Sequence, residues 1–276
     1  MINTTRPFLT LVRRELWEHR GLIWAPLAMA LTIIVLSLLG AAQDITLPGV
    51  VVVRDADEQR DFLSTLMIGL LVPQLLAGLV VVFFYLLDGL FTERRDRSIL
   101  FWKSLPVSDT KTVLSKLFVA LVAMPLWIWA LSLLVGLVVF GVLAAKVSNT
   151  PAAALGTWHG EDWLVLQATL LGKLAVAALW YLPVAGWLLL VSVLAKRAPF
   201  LWATLPFLVL SLAERIALGT NVMGALVVQR LFGFSEEVAL MSEFSLLASP
   251  DLWVGVAIGA ALVYAAIRVR QRSDDI

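Results

Sequence analysis

The chain has 276 residues, of which 61% are hydrophobic and 15% are charged, and its formal net charge at pH 7 is +1. Soluble domains usually carry about 25% charged residues, so this composition excludes an ordinary soluble protein and indicates a membrane protein. The near-neutral charge argues against a nucleic-acid partner. Because the chain has no cysteine, disulfides and thiolate metal sites are excluded, and its two histidines, His19 and His159, are too far apart in sequence to suggest a metal site.

Six apolar segments approach or exceed the length of about 20 residues that crosses a bilayer. In chain order they lie at about 22–42, 66–87, 113–145, 164–194, 200–218 and 252–267. Lipid cannot satisfy backbone polar groups, so we expect six transmembrane helices and an all-α polytopic membrane protein with a single domain over residues 1–276. Residues 1–21 mix charges with leucine and tryptophan at helical spacing, which predicts an amphipathic interfacial helix before the first span. The alternative is a solvated, positively charged flank of that span.

Lysine and arginine are unevenly distributed over the connections between these segments. Fifteen of them fall on one set of alternating connections and five on the other, while Lys173 lies inside the fourth segment. Cytoplasmic connections of membrane proteins are enriched in basic residues, so this distribution predicts that both termini lie in the cytoplasm. We therefore expect a multi-pass protein of the cell inner (cytoplasmic) membrane, surrounded by membrane lipid.

The connection between the second and third segments, residues 88–112, is too charged to cross a membrane. In order, it contains a dense run of charge at 93–97, an apolar patch at 99–102 and a proline at 106. Pro106 disfavours a helix at the residue before it, and Ser108 or Asp109 can cap the helix that becomes the third span. The pattern predicts helix, break and helix at the membrane surface. This segment either contacts a soluble partner or places its aromatic residues among the lipid headgroups.

The same connection contains, in this order, Glu93-Arg94, Ile99-Leu100 and Leu105-Pro106-Val107-Ser108, and Lys116 comes two helical turns later. This order between the second and third spans resembles the coupling segment of the ABC-2 class of ABC transporter permeases. The resemblance implies six spans with both termini in the cytoplasm, an interfacial helix before the first span and short re-entrant helices before the sixth. It assigns residues 219–250 to an outer or re-entrant region, for which a plain outer helix is the alternative.

The resemblance also implies partners. In the family, the coupling segment sits in a groove of a separate ATP-binding cassette subunit, and the permease pairs with a second copy or a related permease. The residues expected to contact the ATPase subunit are Glu93, Arg94, Arg95, Arg97, Ile99, Leu100, Phe101, Trp102, Pro106 and Asp109. The Phe101-Trp102 pair is bulkier than the small residues and leucines that many family members carry at this place.

A nucleotide site is not expected in this chain, because the phosphate-binding pattern Gly-x-x-x-x-Gly-Lys-Ser/Thr does not occur in it. The chain itself is therefore not expected to be an enzyme or to hold a cofactor, and ATP and magnesium would be bound by the partner subunit. The expected function is export of an amphipathic, lipid-like or drug-like substrate. The alternatives are a self-contained secondary transporter and a membrane-embedded enzyme.

Several residues within the apolar segments could serve transport or only packing. Lys173 is either an intramembrane functional charge or a side chain that reaches the outer interface. Glu214 and Arg215 form either a boundary pair or a functional pair. Aromatic residues surround two prolines, Pro125 and Pro183, and could line a substrate path or pack against lipid and helices. They are Trp127, Trp129, Trp180, Tyr181 and Trp187.

Overall fold

A computed structural model describes residues 5–42, 56–96, 108–147, 160–240 and 246–272. Within these ranges the regular structure is helical and no strand occurs. Six helices are long and apolar enough to cross a membrane. The prediction of an all-α chain with six apolar helices of membrane-spanning length is therefore confirmed for the part of the chain that the structure describes.

The described residues form eleven α-helices. They are α1 Thr5–Glu18, α2 Gly21–Ala42, α3 Ala56–Gly89, α4 Phe91–Arg95, α5 Asp109–Phe118, α6 Met124–Val147, α7 Gly160–Trp180, α8 Leu182–Leu194, α9 Pro199–Leu218, α10 Val222–Leu240 and α11 Pro250–Arg272. A π-helical segment, Val119–Ala123, joins α5 to α6, and a short 3-10 helix, Leu246–Ala248, precedes α11. The π segment ends just before Pro125, where a wider turn gives the proline ring room beside the preceding carbonyl groups.

The fourth apolar segment is two helices, α7 and α8, rather than the single run from 164 to 194 that the sequence predicts. The change of helix occurs at Tyr181, and Pro183 lies in the first turn of α8, where its missing N–H is tolerated. Hydrogen bonds continue across the junction, from Tyr181 N to Ala177 O at 2.9 Å and from Ala185 N to Tyr181 O at 2.9 Å. The junction is therefore a bend in the helical path and not an open loop.

The chain forms two compact units. The first contains Met1–His19, Val82–Ala123 and Lys173–Ile276, and the second contains Arg20–Val81 and Met124–Gly172. In the first unit α8 packs along α11, α5 packs against α1 and α11, and α9 packs against α10. Two glycines permit the α8–α11 contact. A Cβ on Gly186 would lie 2.8 Å from the carbonyl oxygen of Gly259, and a Cβ on Gly259 would lie 2.8 Å from backbone atoms of Leu182 and Pro183.

The second unit is built around α2 and α6, which pack along one another. Its larger apolar core consists of Ala30, Met67, Leu131, Val135, Val139 and Leu143. A smaller core joins α3, α6 and α7 through Leu71, Ile128 and Leu170. Gly78 lets α3 approach α6, since a Cβ at this position would overlap the side chain of Ile128. These cores bury one stripe of each helix and leave large apolar side chains exposed, as expected for helices that face lipid.

Candidate functional site

A buried group of charged side chains lies in the first unit, where α1, α4, α5 and α11 meet. We call it the ionic cluster; it consists of Arg14, Glu15, Glu93, Asp109, Lys116 and Arg270. Three of these residues are acidic and three are basic, so the cluster is balanced in charge. Balance is needed because Glu15, Lys116 and Arg270 are at most 2% exposed. An uncompensated charge at such depth would be strongly destabilising.

Lys116 lies at the centre of the ionic cluster. Its Nζ donates to Glu15 Oε1 at 2.9 Å and to Glu15 Oε2 at 2.8 Å, and it lies 3.2 Å from Glu93 Oε1. The hydroxyl of Tyr85 donates to Glu15 Oε2 at 3.1 Å, and Arg14 Nη2 donates to Glu15 Oε1 at 2.8 Å. Lys116 therefore joins the third apolar segment to the amino-terminal helix and to α4.

Arg270 pairs with two carboxylates, one that precedes residues 97–107 in the sequence and one that follows them. Its Nη1 donates to Glu93 Oε2 at 2.7 Å, and its Nε donates to Asp109 Oδ1 at 2.8 Å. Arginine suits this position because its planar guanidinium presents several N–H groups in fixed directions and stays charged. One side chain of the last helix thus holds both flanks of the coupling segment that the sequence predicts.

The short helix α4 is fixed to the end of α8 by a reciprocal set of hydrogen bonds. Leu90 N and Phe91 N both donate to Ser192 Oγ at 3.0 Å, which satisfies two N–H groups at the start of α4. In return, Arg94 Nη2 donates to Ser192 O at 2.8 Å and to Ala195 O at 2.9 Å. A cation at the carboxyl end of a helix also interacts favourably with the helix dipole.

The start of α5 fits the capping prediction. Ser108 is the N-cap, with extended backbone angles, and its side chain accepts from Lys111 N at 3.4 Å. Asp109 lies in the first turn, where a negatively charged carboxylate interacts favourably with the helix dipole. The acceptor for Arg270 is therefore positioned by a capped helix end rather than by a loose connection.

The residues predicted to contact an ATPase subunit fall into three groups. Glu93 is buried and Arg94 is partly buried, and both bind other parts of this chain. Arg95 is exposed, with its Nε 3.1 Å from Asp96 Oδ1, and Asp109 is partly exposed. Six of them lie outside the described residues, namely Arg97, Ile99, Leu100, Phe101, Trp102 and Pro106. Contact of any of these residues with a partner stays a prediction.

The five aromatic residues of the predicted substrate path each donate a hydrogen bond to a backbone carbonyl of another helix. The bonds run from Trp127 Nε1 to Ile23 O at 3.3 Å, from Trp129 Nε1 to Gln167 O at 3.2 Å, from Trp180 Nε1 to Arg230 O at 3.0 Å, from Tyr181 OH to Leu231 O at 3.0 Å and from Trp187 Nε1 to Ala203 O at 3.1 Å. The first two residues belong to the second unit and the other three to the first. Each of the five therefore links two helices of its own unit, and a role in a substrate path stays a prediction.

The charges within and beside the later spans have different surroundings. Lys173 is half-buried and has no ion pair among the described residues. Glu214 caps the start of α10, accepting from Thr220 Oγ1 at 2.6 Å, Val222 N at 2.7 Å and Met223 N at 2.8 Å. Arg215 is exposed. Glu214 therefore acts as a capping residue of α10, and a joint role with Arg215 stays a prediction, as does the re-entrant course of residues 219–250.

Glu15, Glu18 and His19 bring three possible metal-ligand atoms within 4.8 Å of one another. Both carboxylate oxygens of Glu15 already accept from Lys116 Nζ. A metal ion at this place would have to displace the ammonium group, since both would compete for the same two oxygens. The geometry therefore supports an ion pair here.

Sequence reasoning did not single out Glu15, Arg270 or Ser192. A signal for two of them exists in helical periodicity. The buried face of α11 runs through Gly255, Gly259, Val263 and Ala266 and, continued at the same spacing, reaches Arg270. Glu15 likewise shares a face with Leu11 and Val12, which are buried. Ser192 carries no such signal, because a serine in an apolar helix is most often bonded to its own backbone.

Comparison of the chain with protein-family models, with curated proteins and with solved structures found no match. The geometry of the ionic cluster and the pattern of the spans therefore carry the functional proposal. The resemblance to ABC-2 permeases stays a prediction.

Proposed function

We propose that this chain is the membrane-spanning permease subunit of an ATP-driven ABC transporter of the ABC-2 class. It pairs with a second permease copy or a related permease and with separate ATP-binding cassette subunits, which bind ATP and magnesium. Its termini lie in the cytoplasm and its spans cross the inner membrane. The transported substrate is amphipathic, lipid-like or drug-like, and the direction is export.

The observation that best supports this proposal is the double pairing of Arg270. A transmitting segment must be rigidly joined to the spans that it moves, because a flexible joint would absorb the displacement. Glu93 and Asp109, on the two flanks of residues 97–107, pair with Arg270 at 2.7 Å and 2.8 Å. A force on the segment would therefore act on α11 directly.

The same contacts extend the path to a second helix. Arg94 and Ser192 fix α4 to the carboxyl end of α8, and α8 packs against α11 through Gly186 and Gly259. Within the first unit, displacement of α4 would move α8 and α11 together. Glu93, Arg94 and Asp109 act in this proposal as positioning residues, and the exposed Arg95 with residues 97–106 supplies the contact with the ATPase subunit.

The proposal is tested by purifying the tagged chain from the membranes of its own cells and assaying the preparation for a co-purified ATP-binding cassette protein and for ATP hydrolysis. Deletion of residues 99–102 should abolish co-purification of the ATPase and the ATP hydrolysis of the isolated complex, because it removes the apolar patch predicted to dock. Deletion of residues 151–154, in a connection on the predicted opposite side of the membrane, is the matched control and should retain both. Co-purification that survives the first deletion would contradict the coupling role.

The two alternatives, a secondary transporter and a membrane-embedded enzyme, make a different prediction for the same preparation. Either one would be active as the purified chain without ATP or a second subunit. Transport or catalysis by the chain alone in lipid vesicles would therefore contradict the proposal directly.

A further inference from the structure

The basic residues in and beside the ionic cluster are of two kinds. Arg14, Lys116 and Arg270 have carboxylate partners. Arg13 of α1 and Arg268 of α11 are exposed and form no ion pair with any residue that the structure describes. Each of these two arginines lies instead against an aromatic side chain one helical turn away.

The two arginine–aromatic pairs, Arg13–Trp17 and Arg268–Tyr264, have the same construction. The guanidinium carbon of Arg13 lies 5.3 Å from the centre of the Trp17 ring, and that of Arg268 lies 5.1 Å from the centre of the Tyr264 ring. Both rings are exposed, Trp17 at 66% and Tyr264 at 57%. An aromatic ring attracts a guanidinium to its face and leaves N–H groups at the edge of the guanidinium for an acceptor. In the second pair one N–H is used, because Arg268 Nε donates to Tyr264 OH at 2.7 Å.

The pair on α11 stands at the end of a continuous exposed stripe of that helix. At helical spacing, the stripe runs through Val254, Ile258, Ala261, Tyr264 and Arg268, all of them exposed. Apolar side chains on the outer face of a spanning helix contact acyl chains, and tyrosine and arginine at its end reach the level of the headgroups. The order of residues along the stripe therefore matches the order of groups along a phospholipid.

The pair on α1 has a similar setting on a shorter helix. Leu9, Arg13 and Trp17 follow one another at intervals of one turn on the exposed side of α1, whereas Leu11 and Val12 on its other side are buried. A helix with a buried apolar side and an outer side that combines arginine with large apolar groups suits the boundary between headgroups and acyl chains.

The ionic cluster places both pairs at the same end of the first unit. Glu93 Oε1 lies 3.5 Å from Arg14 Nη2, and Glu93 Oε2 lies 2.7 Å from Arg270 Nη1. Arg13 is adjacent in sequence to the first of these arginines, and Arg268 is two residues from the second. The distribution of lysine and arginine predicts that this end faces the cytoplasm.

We propose that the two arginine–aromatic pairs are binding sites for anionic phospholipids of the cytoplasmic leaflet. The free N–H groups of each arginine donate to oxygens of the lipid phosphate, and the aromatic ring and its apolar neighbours contact the glycerol region and the acyl chains. This inference goes beyond the proposed transport function and does not rest on it, because it requires only that α11 spans with its carboxyl end in the cytoplasm.

The preference for an anionic lipid follows from the missing carboxylate partner. An arginine without an acidic neighbour carries a net positive charge, which attracts a headgroup with a net negative charge. Phosphatidylcholine brings its own cation, which compensates its phosphate. Arg95 provides a contrast at the same end of the unit: it is exposed and lies 5.8 Å from the centre of the Phe91 ring, but its Nε lies 3.1 Å from Asp96 Oδ1. Its charge is already compensated, so it should not favour an anionic lipid.

The first test compares the melting temperature of the purified full chain in nanodiscs of phosphatidylcholine alone and in nanodiscs that also contain phosphatidylglycerol. We expect phosphatidylglycerol to raise the melting temperature of the wild-type chain by about 4 °C. Arg13→Gln combined with Arg268→Gln should remove most of this increase, and Arg95→Gln, the matched control, should retain it. An increase as large in the double variant as in the wild type would overturn the proposal.

A second pair of substitutions separates these sites from a diffuse attraction between basic residues and an anionic surface. Trp17→Leu combined with Tyr264→Leu changes only exposed side chains and leaves every charge in place. We expect this variant to lose at least about half of the increase, since the arginines are no longer held against a ring. A full increase in this variant would show that charge alone attracts the lipid and would overturn the two sites.

A third measurement uses the wild-type chain alone and does not depend on how the variants fold. Native mass spectrometry from detergent should show two bound phosphatidylglycerol molecules, each held at least about fivefold more tightly than phosphatidylcholine. Soluble glycerol 3-phosphate should not displace them, because it lacks the acyl chains that contact the apolar side chains. Equal affinity for the two lipids, or displacement by glycerol 3-phosphate at the concentration of the lipid, would overturn the assignment to an anionic phospholipid.

Discussion

Lys116 is almost fully buried, and three carboxylate oxygens lie within 3.2 Å of its ammonium nitrogen. Burial of an ion pair is itself costly, but removal of one partner is worse because the other charge is left without compensation. Lys116 lies between the carboxylates of Glu15 and Glu93. Its loss would leave these two negative charges to repel each other in a site closed to water. The stability of the first unit should therefore depend strongly on this one side chain.

We expect Lys116→Met to lower the free energy of unfolding by about 3–5 kcal/mol, since methionine keeps the chain length but removes the charge. Thermal melting of the purified protein in detergent measures this. Lys111→Met, a partly exposed lysine on the same helix, is the control and should change stability by at most about 0.5 kcal/mol. Adding Glu15→Gln to Lys116→Met should recover part of the loss. Equal melting of the two lysine variants would show that the ionic cluster does not stabilise the fold.

At the level of single residues, the sequence showed which charges stand near span ends but not their partners. Glu93 and Asp109 are conspicuous because they lie between two apolar runs, and Lys116 because it is a charge near the start of one. Their partners Glu15 and Arg270 are separated from them by between 101 and 177 positions of chain, and no local pattern specifies such a pairing. The cap by Ser108 was predictable because an N-cap depends only on the three residues that follow it.

Helices α8 and α11 approach one another at two glycines. The Cα hydrogens of Gly186 and Gly259 leave room for backbone of the opposite helix, where any Cβ would meet atoms at 2.8 Å. Helices in lipid have no hydrophobic drive to associate, so close backbone packing at small residues is a main source of their attraction. This contact also links the end of α8, which binds α4, to the helix that carries Arg270.

Gly259→Ala should separate α8 from α11 and destabilise the protein by about 1–3 kcal/mol, because the added methyl group meets backbone that cannot move alone. Gly141→Ala is a matched control, since a Cβ there meets nothing within 4 Å, and alanine at that helical position should be neutral or stabilising by up to about 1 kcal/mol. Melting temperatures in one detergent compare the two. A Gly259→Ala variant as stable as Gly141→Ala would argue against tight packing of α8 on α11.

At the level of elements, the positions of the apolar helices were predictable and their interruptions were not. Runs of apolar residues mark a span whatever it packs against, because the requirement for internal backbone bonding is general. The bend at Tyr181 and the π segment Val119–Ala123 each lie near a proline that the sequence displays. A proline can kink, end or be absorbed by a helix, and packing around it decides which.

The distribution of charge predicts how the chain is oriented in the membrane. Helix α9 has 20 residues and therefore a length of about 30 Å, which matches the hydrocarbon thickness of a bilayer. The exposed Lys196 and Arg197 precede it and the exposed Asn221 follows it. If α9 spans, these two ends must face opposite sides of the membrane, with the basic end in the cytoplasm.

This orientation is simple to test, because the chain has no cysteine of its own and a thiol reagent will label only a cysteine that is introduced. In intact cells, a membrane-impermeant maleimide should label Asn221→Cys and should label Lys196→Cys only after permeabilisation. The opposite pattern would invert the predicted orientation, and equal labelling of both in intact cells would show that α9 does not span.

The sequence by itself determined the class of this protein, its helical nature and the approximate places of its spans, because these depend on composition and on local apolar runs. It also indicated that the charged connection between the second and third apolar segments is the part of the chain to test for contact with a partner. The tertiary structure alone decided that Glu93, Asp109, Lys116 and Arg270 form one buried cluster with Glu15. Electrostatic and packing partners are chosen by proximity in space, and proximity between distant parts of a chain exists only once the helices are packed.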